Sequence, residues 1–440
     1  MAFVRSIGRW TMTALVINCI IGGGIFGLPG ELTRLLGRAS PFAMIFAALG
    51  MAVIMACVAE VASQFSEPGG PYLYTRTAFG RFVGIEIGWF HLLAVIGGEA
   101  ALANLFINHL AMFVPSATNS GNRVLIVAIL VVVPAAANYL GVRSGASFSS
   151  LMTLAKVSPL ALLILFGLVH FAQNPQMIHA SEVIAPKLAN WLSAMVLLLF
   201  VFGGWEDALI PTGEVREPRR NIPFGLGAGL LSYGAICALL QFITVSTIGT
   251  AMTDRPLAET ASVLLGRGGE AYVAIAVMLS TLGAISASFL NAPRLVYSFA
   301  AQGDFPAVFA KLHPRFRTPT VAIFFYTFTV WALASSGTFI WLVAVSSGSM
   351  MVLYVGICTS LFRLRKIRPN ADALRIPHAR ALGMIAIAIC LALITALERR
   401  ELLLMCITAL IATANWLWAR RHPLELETKA KAVPTPLSTP

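Results

Sequence analysis

Charge is what this chain lacks most. Only 11% of its 440 residues are Asp, Glu, Lys or Arg, against about 25% in soluble proteins. Hydrophobic residues make up 58%, and the mean hydropathy is +0.81. So few charged side chains cannot coat a water-soluble globule of this length, which excludes that class. Acidic residues are the scarcer sign, 19 against 31 lysines and arginines. The resulting +12 would suit a nucleic acid if it formed a patch. The basic residues stand instead in short loops between apolar runs, as membrane proteins place them, so no nucleic-acid partner is expected. The six cysteines, Cys19, Cys57, Cys237, Cys358, Cys390 and Cys406, all fall in hydrophobic segments without C-x-x-C or Cys/His spacing. Neither a disulfide framework nor a metal site follows. A His/Asp or Cys/His cluster is also missing, which argues against an enzyme, and no cofactor is implied. Charge rings and a ligand-binding ectodomain, the marks of a channel or receptor, are not visible. The longest polar gaps, 173–189 and 251–269, have room for at most a short helix.

Long apolar runs are what the chain has. At about 20 residues per span, twelve candidates lie near 12–36, 41–64, 84–114, 123–141, 151–172, 190–212, 224–249, 270–300, 319–335, 338–362, 381–397 and 401–418. The first is too long for a signal h-region and has no small-residue cleavage site, so it is expected to remain as a span. Twelve spans put both termini on one side. Of the 31 basic residues, only Arg34, Arg38, Arg123, Lys187, Arg255, Arg267, Arg399 and Arg400 then fall on the other side. The asymmetry makes the terminal side cytoplasmic, in a multi-pass protein of the cell membrane. The residues from 419 to 440, rich in proline and without apolar period, are expected to be a disordered cytoplasmic tail.

Two spans are interrupted. In the first, Gly22-Gly23-Gly24 stands in the middle of Ile17 to Gly30, and glycine costs roughly 1 kcal/mol per residue relative to alanine in a helix. A backbone break inside a bilayer survives only where protein, water or a ligand satisfies the freed groups. Gly22, Gly24 and Gly27 also satisfy G-x-G-x-x-G, but a dinucleotide site needs a preceding strand and a βαβ unit, and an uncharged membrane-length run supplies neither. Glycines that serve only close helix packing would be spaced four apart. The sixth span repeats the interruption at Phe200-Val201-Phe202-Gly203-Gly204-Trp205-Glu206-Asp207. Broken helices five spans apart are the signature of an inverted-repeat transporter with its site between them at the midplane. Repeats of about 10–172 and 190–362 would form a transport core, 1–362, with accessory helices in 363–418.

The run Ile21 to Phe26 resembles the first-helix motif of the amino acid, polyamine and organocation transporter family. Glu206 followed by Gly213-Glu214-Val215-Arg216-Glu217-Pro218-Arg219-Arg220-Asn221-Ile222-Pro223 resembles that family's sixth-helix and following-loop motif. Glu67-Pro68-Gly69-Gly70-Pro71-Tyr72 with Tyr74, and Gly303-Asp304-Phe305-Pro306, are similar to two further landmarks. The resemblance covers roughly the first 360 residues. It implies an all-α, leucine-transporter-like fold of five plus five helices with two more at the C-terminus, and secondary transport of amino acids or amines.

The residues themselves suggest a receptor. Backbone N–H groups at Gly22, Gly23, Gly24 and Ile25, at the positive end of a half-helix, suit a carboxylate. Carbonyls near Val201, Phe202 and Gly203 suit an ammonium. Phe200 matches an aromatic that closes over substrate in the resembled family, whereas Trp205 reads as packing. Glu206 could carry a proton or hold an inner gate, and Asp207 is not demanded by the motif. Lys156 resembles the fixed cation that replaces sodium in proton-coupled or exchanging relatives, the alternative being a snorkelling interfacial lysine. Glu99, mid-span beside Gly97 and Gly98, resembles a polar substrate-side position. It should pair with a substrate cation or Lys156, or be protonated, unless it makes an interhelical hydrogen bond away from the cavity. His91 and His109 read as helix packing, and Arg294 and Tyr297 as interface anchors. The expected partners are thus a small-molecule substrate, membrane lipids and a coupling proton, with the oligomeric state left open.

Overall fold

The computed structural model describes residues 7–65, 70–140, 146–174, 186–209, 215–249, 253–367 and 374–422. Glu67, Pro68 and Gly69, Gly213 and Glu214, and the tail from residue 423 lie outside the described residues, as does the side chain of Asp207. Among the described residues the chain is helical, its one β-type pairing being an isolated bridge between Ile7 and Val215.

Fifteen α-helices follow in order among the described residues: α1 (Arg9–Ile20), α2 (Gly24–Gly27), α3 (Pro29–Leu36), α4 (Ser40–Ala62), α5 (Gly70–Phe79), α6 (Arg81–Leu110), α7 (Ser120–Tyr139), α8 (Ala146–Gln173), α9 (Leu188–Val201), α10 (Pro218–Ile248), α11 (Pro256–Ala301), α12 (Thr320–Ser336), α13 (Phe339–Ile367), α14 (Ala379–Ile394) and α15 (Arg399–Arg421). Proline stands at the first or second position of α3, α4, α10 and α11, where its missing N–H costs nothing. Among the described residues eight stretches are long and apolar enough to cross a membrane, and α9, α12 and α14 are shorter apolar helices.

Two details differ from the sequence expectation, and one agrees with it. The short helix α5 follows α4, in a segment too polar to count as a span. Gly266, with φ +72°, breaks α11, so the gap expected to hold at most a short helix does hold one, beginning at Pro256. The last helix runs on through Ala419 and Arg420 to Arg421, so those residues are not part of a disordered tail.

Burial sorts the helices into layers. In the most apolar window of α6, 78% of residues are buried, against 28% for α7 and 22% each for α8 and α15. Helix α6 is therefore the central post, packed on by α5, α11, α12, α13 and α15. The periphery shows Phe42, Phe46 and Leu49 on α4, Leu125, Ile129 and Val133 on α7, and Leu403 and Leu410 on α15. An apolar face of that extent belongs against lipid rather than water. With these helices and this face, the chain is a multi-pass membrane protein.

Candidate functional site

Helix α1 stops at Ile20 because Ile21 turns to extended backbone, φ −64° and ψ +95°. Helical hydrogen bonding resumes when the N–H groups of Phe26 and Gly27 reach the Gly23 carbonyl, each at 3.1 Å. The N–H groups of Gly22, Gly23, Gly24 and Ile25 have no acceptor among the described residues, as expected of donors at a helix start. Across from them α9 ends at Val201, followed by a bend and a 3-10 turn over Trp205–Leu209. The Val201 carbonyl accepts the Tyr233 hydroxyl at 3.1 Å. The carbonyls of Phe200 and Phe202 have no donor among the described residues.

The two breaks pass each other backbone to backbone. A Cβ on Gly24 would lie 3.0 Å from Val201 Cα and 3.1 Å from the Phe200 ring. One on Gly204 would lie 2.8 Å from the Cys19 carbonyl oxygen, and Gly204 also has φ +90°, a region costly for any residue with a side chain. The start of α2 is thus seated on the end of α9, and the end of α1 on the bend after it. Phe200 reaches past Gly24 toward α6 and α13: a Cβ on Gly98 would be 3.5 Å from both its ring and Ser346 Oγ. Ser346 Oγ is held by donation to the Ala94 carbonyl at 2.7 Å.

Exposure around this crossing is one-sided. Residues Gly23 to Gly30, Val201 and Phe202 are buried, whereas Gly204 is exposed and Gly22, Gly203 and Glu206 are half-buried. The crossing is accordingly open toward the side from which α1 enters and closed by packed side chains toward α3.

Lys156, half-buried on α8, lies within electrostatic reach of Cys19, beside the first break. Glu206 accepts the Gly204 N–H at 2.9 Å through one carboxylate oxygen and the Tyr354 hydroxyl through the other. It thereby ties the second break to α13. Trp205 is fully buried and stacks on Tyr354 at 6.4 Å between ring centroids, which is packing. Glu99 is 8% exposed and faces Tyr326 of α12 electrostatically, and Tyr326 in turn meets Ser288 of α11 at 3.3 Å. Glu99 follows Gly98 directly on α6. His109 is buried, its Nδ1 2.9 Å from the Leu105 carbonyl oxygen, and Arg294 is exposed.

The structure brings Gly22, Gly23, Gly24, Ile25, Phe200, Val201, Phe202, Gly203 and Lys156 to one crossing. The sequence reading missed Tyr233, Tyr354 and Ser346. The signal for the tyrosines was present, since a phenol in an apolar span needs a partner for its hydroxyl, but both partners are distant in the chain. Chemically, the crossing offers N–H donors on one chain end and carbonyls on the other that are without partners among the described residues, within a largely apolar enclosure.

Comparison with known proteins agrees with this architecture. A family model described as amino acid permease matches residues 7–418. The serine/threonine exchanger SteT of Bacillus subtilis is 28% identical over 73% of this chain and 74% of its own. A methylthioribose transporter of the same organism is 25% identical over 96% and 95%. An arginine/agmatine antiporter of Chlamydia pneumoniae is 24% identical over 89% and 85%. A family match over almost the whole chain, on a helical bundle with two broken helices, assigns the protein: it belongs to the amino acid permease family of membrane transporters.

Proposed function

We propose that this protein is a secondary transporter that carries an amino acid or a closely related amine across the cell membrane by alternating access around the two helix breaks. One observation carries the reading: the N–H groups of Gly22 to Ile25, without acceptors among the described residues, begin the segment seated through Gly24 on the end of α9, where the Phe200 and Phe202 carbonyls have no described donors. The donors suit the carboxylate of an amino acid and the carbonyls its ammonium, both ends being bound by backbone that a bilayer would otherwise leave unsatisfied. Relatives named for serine and threonine, for methylthioribose, and for arginine and agmatine support small polar solutes without choosing among them.

In this reading α1–α8 and α9–α13 form two inverted repeats, with α14 and α15 accessory, and both termini are cytoplasmic. The exposed Gly204 and half-buried Gly22 then mark a cytoplasmic opening, and Phe200 is the lid on the opposite side. Lys156 supplies beside Cys19 the positive charge that a sodium ion would otherwise bring, so transport is sodium-independent and driven by protons or by exchange. Glu206 holds the inner part of the broken helix to α13 through Tyr354. Glu99, behind Gly98, either tunes the substrate range or carries the proton.

The experiment is uptake of each radiolabelled amino acid into proteoliposomes, with and without a pH gradient, with and without internal substrate, and with choline in place of sodium. Uptake of one amino acid class that survives choline and responds to a pH gradient or to internal substrate is expected. No uptake of any amino acid or amine would reject the proposal.

A further inference from the structure

The first turns of α1 and α10 lie side by side at one end of the bundle. Gly225 and Gly229 of α10 face Met12 and Val16 of α1, so the two helices run parallel and, with small residues four apart, pack closely. A backbone bridge between Ile7 and Val215, with the Arg216 N–H donating to the Ile7 carbonyl at 2.9 Å, joins the segments that lead into them.

Across this junction Arg9, Trp10 and Phe224 form an open cluster. Trp10 and Phe224 meet edge to face at 5.2 Å between ring centroids, although they are 64% and 38% exposed. The Arg9 guanidinium lies 5.8 Å from the Trp10 ring centroid and 5.5 Å from that of Phe224. A guanidinium held against rings keeps its fork of N–H donors for an oxyanion, and Arg9 pairs with no carboxylate among the described residues. Arg220 stands four residues before Phe224, hence on the same face of α10. Its side chain is 85% exposed and only loosely paired, at 3.7 Å, with Glu217. Arg9 and Arg220 outweigh Glu217, and the patch is positive.

The same face of α10 continues into the apolar span. After Phe224 come Gly227, exposed and with open space where a side chain would stand, and Leu231, 72% exposed. A positive, hydrogen-bond-donating end thus leads into an apolar notch between two large side chains. Free phosphate would use only the first part, whereas an anionic amphiphile uses both.

We propose that the junction of α1 and α10 holds an acidic phospholipid, its phosphodiester on the Arg9 guanidinium with Arg220 alongside and an acyl chain in the notch at Gly227. A basic residue that merely snorkels at the end of a span does not choose among headgroups. A guanidinium fixed by rings from two helices, next to a second arginine, chooses negative charge. Because the site spans both helices, the lipid ties the start of the first broken helix to its neighbour.

The test uses the full chain in phosphatidylcholine nanodiscs doped with phosphatidylglycerol brominated on its acyl chains, or with brominated phosphatidylcholine, and reads tryptophan fluorescence. The difference between the parent and Trp10→Phe isolates the Trp10 emission. Half-maximal quenching of Trp10 is expected at a mole fraction of brominated phosphatidylglycerol at least about fivefold below that of brominated phosphatidylcholine, the worth of one arginine near a membrane surface. Arg9→Gln should remove this preference, and Arg220→Gln, the second variant, should reduce it. Equal quenching by the two lipids in the parent, or a preference untouched by both substitutions, overturns the site. Relief of the quenching by soluble glycerol phosphate would show that the arginines take a free phosphate group, and overturns the lipid assignment equally. None of these readings requires transport, so their failure leaves the transport reading standing, and absence of uptake leaves the lipid site standing.

Discussion

Four glycines at the breaks differ in what a methyl group would meet, and that difference ranks their tolerance. At Gly22 the nearest atom to an added Cβ is the Ile20 carbonyl at 3.8 Å, an ordinary contact. At Gly23 the obstacles are the tips of Leu102 and Leu105, which can swing away, whereas at Gly24 it is the Val201 Cα, which cannot. Gly204 adds a positive φ to a clash with the Cys19 carbonyl. Uptake by Gly22→Ala should therefore stay within about twofold of the parent, and Gly24→Ala and Gly204→Ala should lose at least about tenfold, since 1–2 kcal/mol of strain at the crossing suffices. Gly23→Leu, too large for Leu102 to clear, should abolish uptake while the protein stays in the membrane. Equal activity across the series, normalised to protein in the bilayer, would remove the crossing from the transport cycle. The glycine triplet was legible in the sequence as a break. That Gly204 rather than Gly203 carries the steric demand was not, because it depends on Cys19, which only the fold brings near. Glu99 shows the same limit: its charge could be seen in a span, but its facing Tyr326 could not. Glu99→Gln should spare exchange and change either the preference for cationic substrates or accumulation under a pH gradient. An unchanged profile on both counts would leave it a structural residue.

Two buried carboxylates tie helices together near the ends of α4 and α11. Glu60, fully buried on α4, receives Arg365 of α13 through Nε at 2.6 Å and Nη2 at 2.7 Å, and the Ile376 N–H at 2.9 Å. Asp304, just past α11, receives Tyr72 and Arg76 of α5 and Arg81 of α6, while Asn415 of α15 donates to its backbone carbonyl at 2.7 Å. Removing one partner of a buried ion pair costs about 3–5 kcal/mol. Arg365 keeps 28% of its side chain exposed, so solvent screening lowers the figure for Glu60→Gln to about 2 kcal/mol. The apparent melting temperature in mild detergent should fall for Glu60→Gln and recover in part for the Glu60→Gln, Arg365→Met double variant. Identical melting of parent and single variant would show that the pair holds nothing. The helices themselves could be read because a run of about 20 apolar residues is a local property. Glu60 lay within an expected span and was passed over because its partner is 305 positions away in the chain. Helix α5 escaped notice for the opposite reason: it is ten residues long and mixed in polarity, so it has neither the length nor the hydropathy of a span.

At the scale of the whole molecule, the proposed alternating access would need a charge arrangement stable in more than one conformation, and the proposed role of Lys156 is to supply part of it. It comes from α8, outside the two broken helices, and lies within electrostatic reach of Cys19 at the end of α1, so its charge stands beside the first break. A diffusible sodium ion at such a place must be reloaded in each cycle and makes transport depend on its gradient. A tethered ammonium couples nothing by itself, so in the proposed reading the driving force would pass to a proton or to a counter-substrate. An ionisable group in a span costs at least about 2.5–3.5 kcal/mol unless function retains it, and among the described residues Lys156 makes no ion pair that would explain it structurally. Replacing sodium by choline should leave parent uptake unchanged. Lys156→Ala should lose most uptake with membrane expression maintained, and Lys156→Arg, which keeps the charge but not the compact ammonium, should retain a fraction. Regain of activity in Lys156→Ala at high sodium would identify the vacated position as one a cation can fill. Sodium-stimulated uptake in the parent, or full activity in Lys156→Ala, would show that the lysine is an interfacial side chain and that the coupling ion acts elsewhere.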